Sequence, residues 1–443
     1  MTSATSLTSL TVNAERLMRE LHHLAQFTDC PPSQDTSLPE PTQAVTRIVF
    51  TSRDMEARMW LKQLAVDAGF ATREDAVGNT FIRWQGTDPN LSAVGTGSHT
   101  DAIPHAGMYD GTVGVLGGLE ALRSLREAGF VPKRSLELLI FTSEEPTRFG
   151  IGCLGSRLLG GALDPNHADA LIDRLPETEP NATVGLTLAQ VREAAGFKGP
   201  LSTVKLPQNY YGAWIELHIE QGPLLELEYT DLGIVTGIAA PASYRYTVSG
   251  FGGHAGALLM PDRRDALCAA AEMVLSVERH TLAANAASGG VDSVATVGMV
   301  NVHPGAVNSV PSRVVFTLDI RDTDVARRDS ILSAFRADIR AIEAKRHVNV
   351  REEFINADAP AKSSDHIVAT LEAACRTEGA TYHKMVSRAY HDTSFMALIA
   401  PVAMLFIPCR NGVSHRPDEY AEPEAIVRGT RVLALALAAL ANE

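Results

Sequence analysis

Cysteine is scarce in this chain: five residues among 443, at Cys30, Cys153, Cys268, Cys375 and Cys409, odd in number and without a C-x-x-C pair. Such spacing argues against a disulfide scaffold and a thiolate zinc clamp, and it fits a reducing compartment. Basic charge is short as well. With 39 Lys and Arg against 52 Asp and Glu, the net charge is −13 at pH 7, which speaks against a nucleic-acid partner and for small-molecule chemistry. Long apolar runs are missing, and the most apolar stretch, 432–441, is too short to span a bilayer and reads as a closing core helix. No membrane partner is expected. Residues 1–10 are rich in Ser and Thr and have neither a basic start nor an apolar stretch, so no cleavable signal is expected and the expected location is cytoplasmic. Internal repeats and low-complexity tracts are absent too. The composition that remains is globular, with 45% apolar and 21% charged residues, and the length suits two or three domains.

Helical spacing of apolar residues predicts helices over 14–27 and 53–68, with a Pro-rich connection at 31–41 between them. From residue 91 the texture changes to short apolar runs, 92–95 and 135–141, separated by a helical pattern at 114–128, the alternation of an α/β sheet with parallel strands. Residues 164–209 are polar and Pro-bearing with one helix near 187–195, and read as a peripheral insertion. Four strands at 233–240, 243–250, 291–302 and 313–321, with helices at 264–281 and 323–345, form a compact α+β module. The α/β texture then returns, with a helix at 364–378, a strand at 402–407 and a last helix from 423. The expected fold is therefore α/β: a larger mixed-sheet domain, 1–230 with 357–443, interrupted by a smaller α+β domain at 231–356.

The segment Gly97-Ser-His-Thr-Asp101 through Tyr109-Asp-Gly111 follows a strand and carries His99, Asp101 and Asp110. Ligands bind at the carboxyl ends of strands in open α/β sheets, and an acid two positions after a His is the pairing expected when a metal-bound imidazole needs a carboxylate to fix its orientation. Acids that only cap turns are the alternative. A second strand runs into Ser143-Glu-Glu-Pro-Thr-Arg-Phe-Gly150; Glu144 and Glu145 divide the work if one holds metal and the other moves a proton. A solvated acidic turn is the plainer reading. In Trp214-Ile-Glu-Leu-His-Ile-Glu-Gln-Gly222 alternation puts Glu216, His218 and Glu220 on one strand face, and a loop bearing His415 follows another apolar strand. Together His99, Asp110, Glu145, His218 and His415 form an imidazole and carboxylate set without thiolate, suited to a carboxylate-bridged pair of Mn²⁺ or Zn²⁺ ions.

On these motifs the chain resembles the dinuclear metal amidohydrolases related to aminoacylases and metallo-carboxypeptidases, in the branch that hydrolyses carbamoyl groups. The resemblance runs from about residue 46 to the end and includes Gly252-Gly-His-Ala-Gly256, Pro304-Gly-Ala-Val-Asn-Ser-Val-Pro311, Asp319-Ile-Arg-Asp322, Arg388-Ala-Tyr-His-Asp392 and Ile407-Pro-Cys409. The stretch Glu144 to Ile151 with Cys153-Leu-Gly-Ser-Arg157, and Ala239-Ala-Pro-Ala-Ser243, look most like members acting on ureidoglycolate. Allantoate and N-carbamoyl-L-amino acids are the alternative substrates.

The resemblance implies that His99, Glu145, His218 and His415 complete two metal shells, with Mn²⁺ the foremost ion, and that Asp110 bridges them. Glu144 would be the general base toward a metal-activated water, and Asp101 would orient His99. The inserted domain would serve as lid and homodimer contact, bringing His254, Asn308 and Arg321 to a small ureide substrate. His254 would also stabilise the oxyanion, while Gln221, Tyr390 and His391 match further substrate-contacting positions. From the residues alone, the favoured reading of Arg321 is a surface salt bridge beside Asp319 and Asp322, and that of His254 a turn residue among glycines. His22, His23, His105 and His303 read as structural or surface residues. A metallopeptidase and a metal-retaining binding protein are the competing functions.

Overall fold

The computed structural model describes residues 10–30, 42–176 and 182–443; the Pro-rich connection at 31–41 and the first nine residues lie outside them. Two units are formed, one of Met1–Thr236, Lys362–Met385 and His391–Glu443, the other of Gly237–Ala361 and Val386–Tyr390.

The first unit is built on a nine-stranded mixed sheet. Its order is Ala361–Lys362, Leu232–Ile238, Val402–Ile407, Tyr211–Ile219, Ala93–His99, Leu136–Phe141, Thr80–Trp84 and Ala71–Glu74, with Tyr382–Ser387 also paired to Leu232–Ile238. The four strands from Val402–Ile407 to Leu136–Phe141 are parallel, and the strands adjoining them, Leu232–Ile238 and Thr80–Trp84, run antiparallel to them. Leu136–Phe141 and Val402–Ile407 are buried end to end, as continuous apolar strands covered on both faces must be. Because the four run in one direction, their carboxyl ends gather at one edge of the sheet. His99 closes one strand, Glu144 and Glu145 follow the next, His218 lies one residue before the end of a third, and the His415 loop follows the fourth.

Helix Thr112–Glu127 crosses this sheet with almost every residue buried. It seats closely because Gly114 has no side chain: a Cβ there would lie 2.4 Å from the Leu217 carbonyl oxygen and 2.7 Å from Ser98 Cβ. The closing helix, Pro423–Ala441, is buried along most of its length. The region expected to be a peripheral insertion instead helps build a second core, with Leu188, Val191, Phe197, Leu201 and Val204 packed in one cluster with Phe50, Phe149 and Trp214.

The second unit holds a four-stranded antiparallel sheet in the order Val294–His303, Arg313–Asp322, Ala240–Ser249, Asn349–Ala357. One face buries Tyr244, Tyr246, Val248, Val314, Phe316, Leu318 and Ile320 with residues of helices Ala266–Ser288 and Val325–Arg346. Its fourth strand differs from the expected one. Leu232–Ile238 pairs with Val402–Ile407 in the large sheet, so the second unit starts at Gly237 rather than at 231 and runs to Ala361 rather than to 356. The place is taken by Asn349–Ala357, a mostly exposed edge strand whose charged residues Arg351, Glu352 and Glu353 hide its alternation. Among the described residues the cysteines form no disulfide. Among the described residues no helix is long and apolar enough to cross a membrane.

Candidate functional site

His99 Nδ1 lies 3.0 Å from the Asp101 carbonyl oxygen. Donation there fixes the tautomer and leaves Nε2 bare, 3.7 Å from Asp110 Oδ1. His218 repeats the device from the adjacent strand: Nδ1 is 2.9 Å from the Ile219 carbonyl and Nε2 is 3.1 Å from the same Asp110 oxygen. On the other side, His415 Nε2 stands 3.1 Å from Asp110 Oδ2 and 3.4 Å from Glu145 Oε1. Asp110 thus presents one oxygen to two imidazoles and the other to an imidazole beside a carboxylate. The ligand atoms of His99, Asp110 and His218 lie within 4.8 Å of one another, and so do those of Asp110, Glu145 and His415. Two such groups sharing one carboxylate are the donor arrangement a bridged pair of divalent ions requires. Gly111 is obligatory beside them: its φ is +66° and a Cβ would fall 2.5 Å from the His99 ring.

Asp101 acts on His99 through its main-chain carbonyl, whereas its carboxylate stands 3.9 Å from Nδ1. That carboxylate has other work. Its oxygens accept the backbone N–H groups of Glu144, at 3.3 Å, and Glu145, at 3.1 Å, so one side chain sets the turn that aims both acids. Glu144 Oε2 lies 3.9 Å from His99 Nε2, and Oε1 accepts from the Cys153 thiol at 3.2 Å.

The charges separate into two classes. Burial raises Asp110, but the imidazoles of His218, His415 and His99 outweigh it and hold the carboxyl well below its usual range. Burial drives Glu144 the other way, well above the usual range, with Glu145, Asp392 and Asp110 reinforcing the rise and His99 opposing it. Glu145 is pushed up to about 7 by burial and by Asp110. His415 is raised to about 9, chiefly by its hydrogen bond to Asp110. Asp110 is thus held ionised among imidazoles, as a bridging ligand must be, while burial favours a bound proton on Glu144.

Three buried acids around the site are given no role by the sequence reading. Glu419 accepts from the backbone of Tyr109, Asp110 and His415 and from Ser414 Oγ. Glu216 accepts from Ser98 Oγ at 2.7 Å and Thr393 Oγ1 at 2.6 Å, and groups with His218 and His391. Asp392 accepts from Ser156 Oγ at 2.5 Å. In the sequence Glu216 is marked by its strand face, and Glu419 by no more than its place four residues after His415.

Of the expected substrate contacts, Gln221 donates to Asp110 Oδ2 at 3.0 Å and to Ser414 Oγ at 3.1 Å. His391 is buried with its ring 4.7 Å from that of His218. The other four belong to the second unit. There His254 is exposed on a two-residue ladder with Ser309 and Val310, and the Asn308 carbonyl accepts from Ala255. Arg321 is half-buried, donates to Asp319 Oδ1 at 2.7 Å and reaches the Arg388 carbonyl at 3.4 Å. Asp322 pairs with Arg327 instead. Tyr390 is half-buried in the same unit. His22, His105 and His303 are exposed, and His23 packs edge-on against Phe27.

The sequence profile of peptidase family M20/M25/M40 matches residues 95–439. Ureidoglycolate hydrolase of Oryza sativa subsp. japonica is 47% identical over 97% of this chain and 85% of its own length. Its namesake from Arabidopsis thaliana is 46% identical over 98% of this chain and 87% of its own length. Among solved structures, AtUAH in complex with glyoxylate and AtUAH in complex with (S)-hydroxyglycine each superpose with a TM-score of 0.82 at 45% identity, covering 98% of this chain and 100% of theirs. With the paired imidazole and carboxylate groups at the edge of its mixed sheet, the chain belongs to peptidase family M20/M25/M40, and within it to the metal-site amidohydrolases.

Proposed function

We propose that this protein hydrolyses ureidoglycolate at the ureido C–N bond, using Glu144 as general base and a pair of divalent ions, Mn²⁺ foremost, held by His99, Asp110, Glu145, His218 and His415. The observation that carries the reading is Asp110 set between two ligand groups, with Glu144 beside His99, in a chain whose near-full-length relatives are named for ureidoglycolate hydrolysis. The donor set fits the ions: nitrogen and oxygen atoms, no thiolate, one carboxylate shared. When bound, the ions supply Lewis acidity toward water and the carbamoyl oxygen.

The chain's own groups do the rest. Glu144, 3.9 Å from His99, takes the proton from the attacking water and delivers it to the leaving nitrogen. Asp101 holds the main chain that aims Glu144 and Glu145. Arg321 is the second unit's candidate for the substrate carboxylate, because a guanidinium stays charged and offers paired donors. Asn308, Tyr390 and His391 are further candidates for the substrate's polar groups, with Gln221 beside Asp110 and His254 for the oxyanion.

Attack at the carbamoyl carbon expels the substituted nitrogen. It leaves hydroxyglycine and carbamate, which then decay to glyoxylate with ammonia and to carbon dioxide with ammonia. The (S)-hydroxyglycine named in one AtUAH complex is the species this order of bond breaking produces. Metal-loaded enzyme should therefore release both nitrogens as ammonia with no matching urea, and chelation should abolish this. Faster turnover of allantoate or of N-carbamoyl amino acids would overturn the substrate assignment. We further propose a homodimer formed through the second unit, where Leu275 and Leu282 stand exposed on one helix; a fully active monomer in light scattering would refute it.

A further inference from the structure

We infer that Glu419 is a positioning residue that assembles one half of the metal centre, the Asp110, Glu145 and His415 group, while the His99, Asp110 and His218 group stands without it. The inference rests on the dinuclear reading above. Glu419 is 2% exposed. One of its oxygens accepts the N–H groups of Tyr109 and Asp110, each at 3.0 Å. The other accepts Ser414 Oγ at 2.8 Å and the His415 N–H at 3.3 Å. Two loops far apart in the chain, one carrying the bridging carboxylate and one carrying its imidazole partner, are thereby fastened to a single side chain.

The chemistry needs a carboxylate at this position. Four donors converge on it, and only an ionised acid offers acceptors on both oxygens. Its enclosure is tight: a Cβ on Gly107 would lie 2.3 Å from Glu419 Cβ. Ser414 extends the link, since its Oγ also receives Gln221 Nε2, which donates in turn to Asp110 Oδ2.

The two halves are supported differently. His99 and His218 belong to buried strands, and each Nδ1 is held by a nearby main-chain carbonyl. His415 lies on an irregular loop with its side chain 48% exposed and its backbone, like that of Asn411, in the left-handed region. That loop is tied to the Asp110 loop through Glu419 and Ser414. Asp110 itself keeps His218 as a partner when Glu419 is removed.

The test is a Mn²⁺ titration of the full chain freed of metal by chelation, followed by calorimetry and by electron paramagnetic resonance. Wild type should take up two ions and give the spectrum of an exchange-coupled pair. Glu419→Ala should keep one ion at near wild-type affinity and bind the other about 10–100-fold more weakly, so that an isolated-ion spectrum appears at concentrations that fill both positions in wild type. Glu419→Gln should fall between, because its carboxamide oxygen can still serve Tyr109 and Asp110 while its NH₂ opposes the His415 N–H. Equal weakening of both ions, or unchanged binding of both, would overturn the inference. Should the Ala variant fail to fold, the Gln variant carries the same comparison with the same two refuting outcomes. Uptake of a single ion by wild type would instead refute the dinuclear reading.

Discussion

Replacing Asp101 by Ala separates two accounts of what this residue does. Its carboxylate is 1% exposed and accepts the N–H groups of Glu144 and Glu145, so Asp101→Ala strands two buried donors at once. Each unpaired buried donor costs roughly 1–3 kcal/mol, and the pair roughly 2–6 kcal/mol if nothing moves. The turn relieves that cost by rotating its peptide groups, which swings Glu144 away from His99 and Glu145 away from His415. His99 is unaffected, because the carbonyl that holds its Nδ1 survives the substitution. The expected result is a kcat lower by about 10²-fold or more, the value of general base assistance. Bound metal should fall from two ions toward one, with the His99 and His218 position still filled. Steady-state kinetics beside elemental analysis of Mn²⁺-loaded protein reads both. Asp101→Asn should lie between, since one carboxamide oxygen still accepts one N–H. Should Asp101→Ala empty the His99 position, or keep both ions and full kcat, the assignment of the carboxylate to the Glu144 and Glu145 turn would be wrong.

Glu144→Gln should retain both ions and lose about 10²–10⁴-fold in kcat; loss of metal would mean that Glu144 and Glu145 exchange roles. Arg321→Ala should raise KM for carboxylate-bearing substrates at least about tenfold while changing stability by only about 0–1 kcal/mol, the worth of a half-exposed ion pair such as that with Asp319; an unchanged KM would reduce Arg321 to that pair. Gly114→Ala should destabilise the first unit by about 1–3 kcal/mol, seen as a lower melting temperature, because the added carbon meets the Leu217 carbonyl at 2.4 Å; an unshifted melt would mean that helix Thr112–Glu127 can slide.

Much of the catalytic sheet was legible because its strands are extreme. Leu136–Phe141 and Val402–Ile407 are runs that only a doubly covered parallel strand accommodates, and the loops after them had to carry polar residues for a reason. The edges were less legible. Ala71–Glu74 is exposed on most of its length and, among the described residues, pairs only with Thr80–Trp84, and Asn349–Ala357 carries charge where an inner strand would carry Val or Ile. An edge strand is specified by its neighbour's open hydrogen bonds more than by its own side chains, so its sequence reads as loop. The assignment of Leu232–Ile238 failed for a related reason: seven apolar or small residues fit either sheet, and the choice is made by pairing with Val402–Ile407.

The site divides along the same line. His99, His218 and His415 stand out because imidazoles next to strand ends are uncommon, and Glu144 with Glu145 because adjacent acids after an apolar strand invite a question. Glu419 invites none: among Pro417, Asp418 and Tyr420 it looks like one more surface acid. Its importance lies in what surrounds it, four donors in a buried position, and that depends on two loops meeting. For Asp101 the sequence points to the right neighbour and the wrong atom, since a carboxylate two residues from an imidazole suggests a direct contact that the main chain makes instead. A ligand is marked in sequence by its chemistry, whereas the groups that aim it are marked only by the unpaired N–H groups they answer, and those exist only once the backbone has closed.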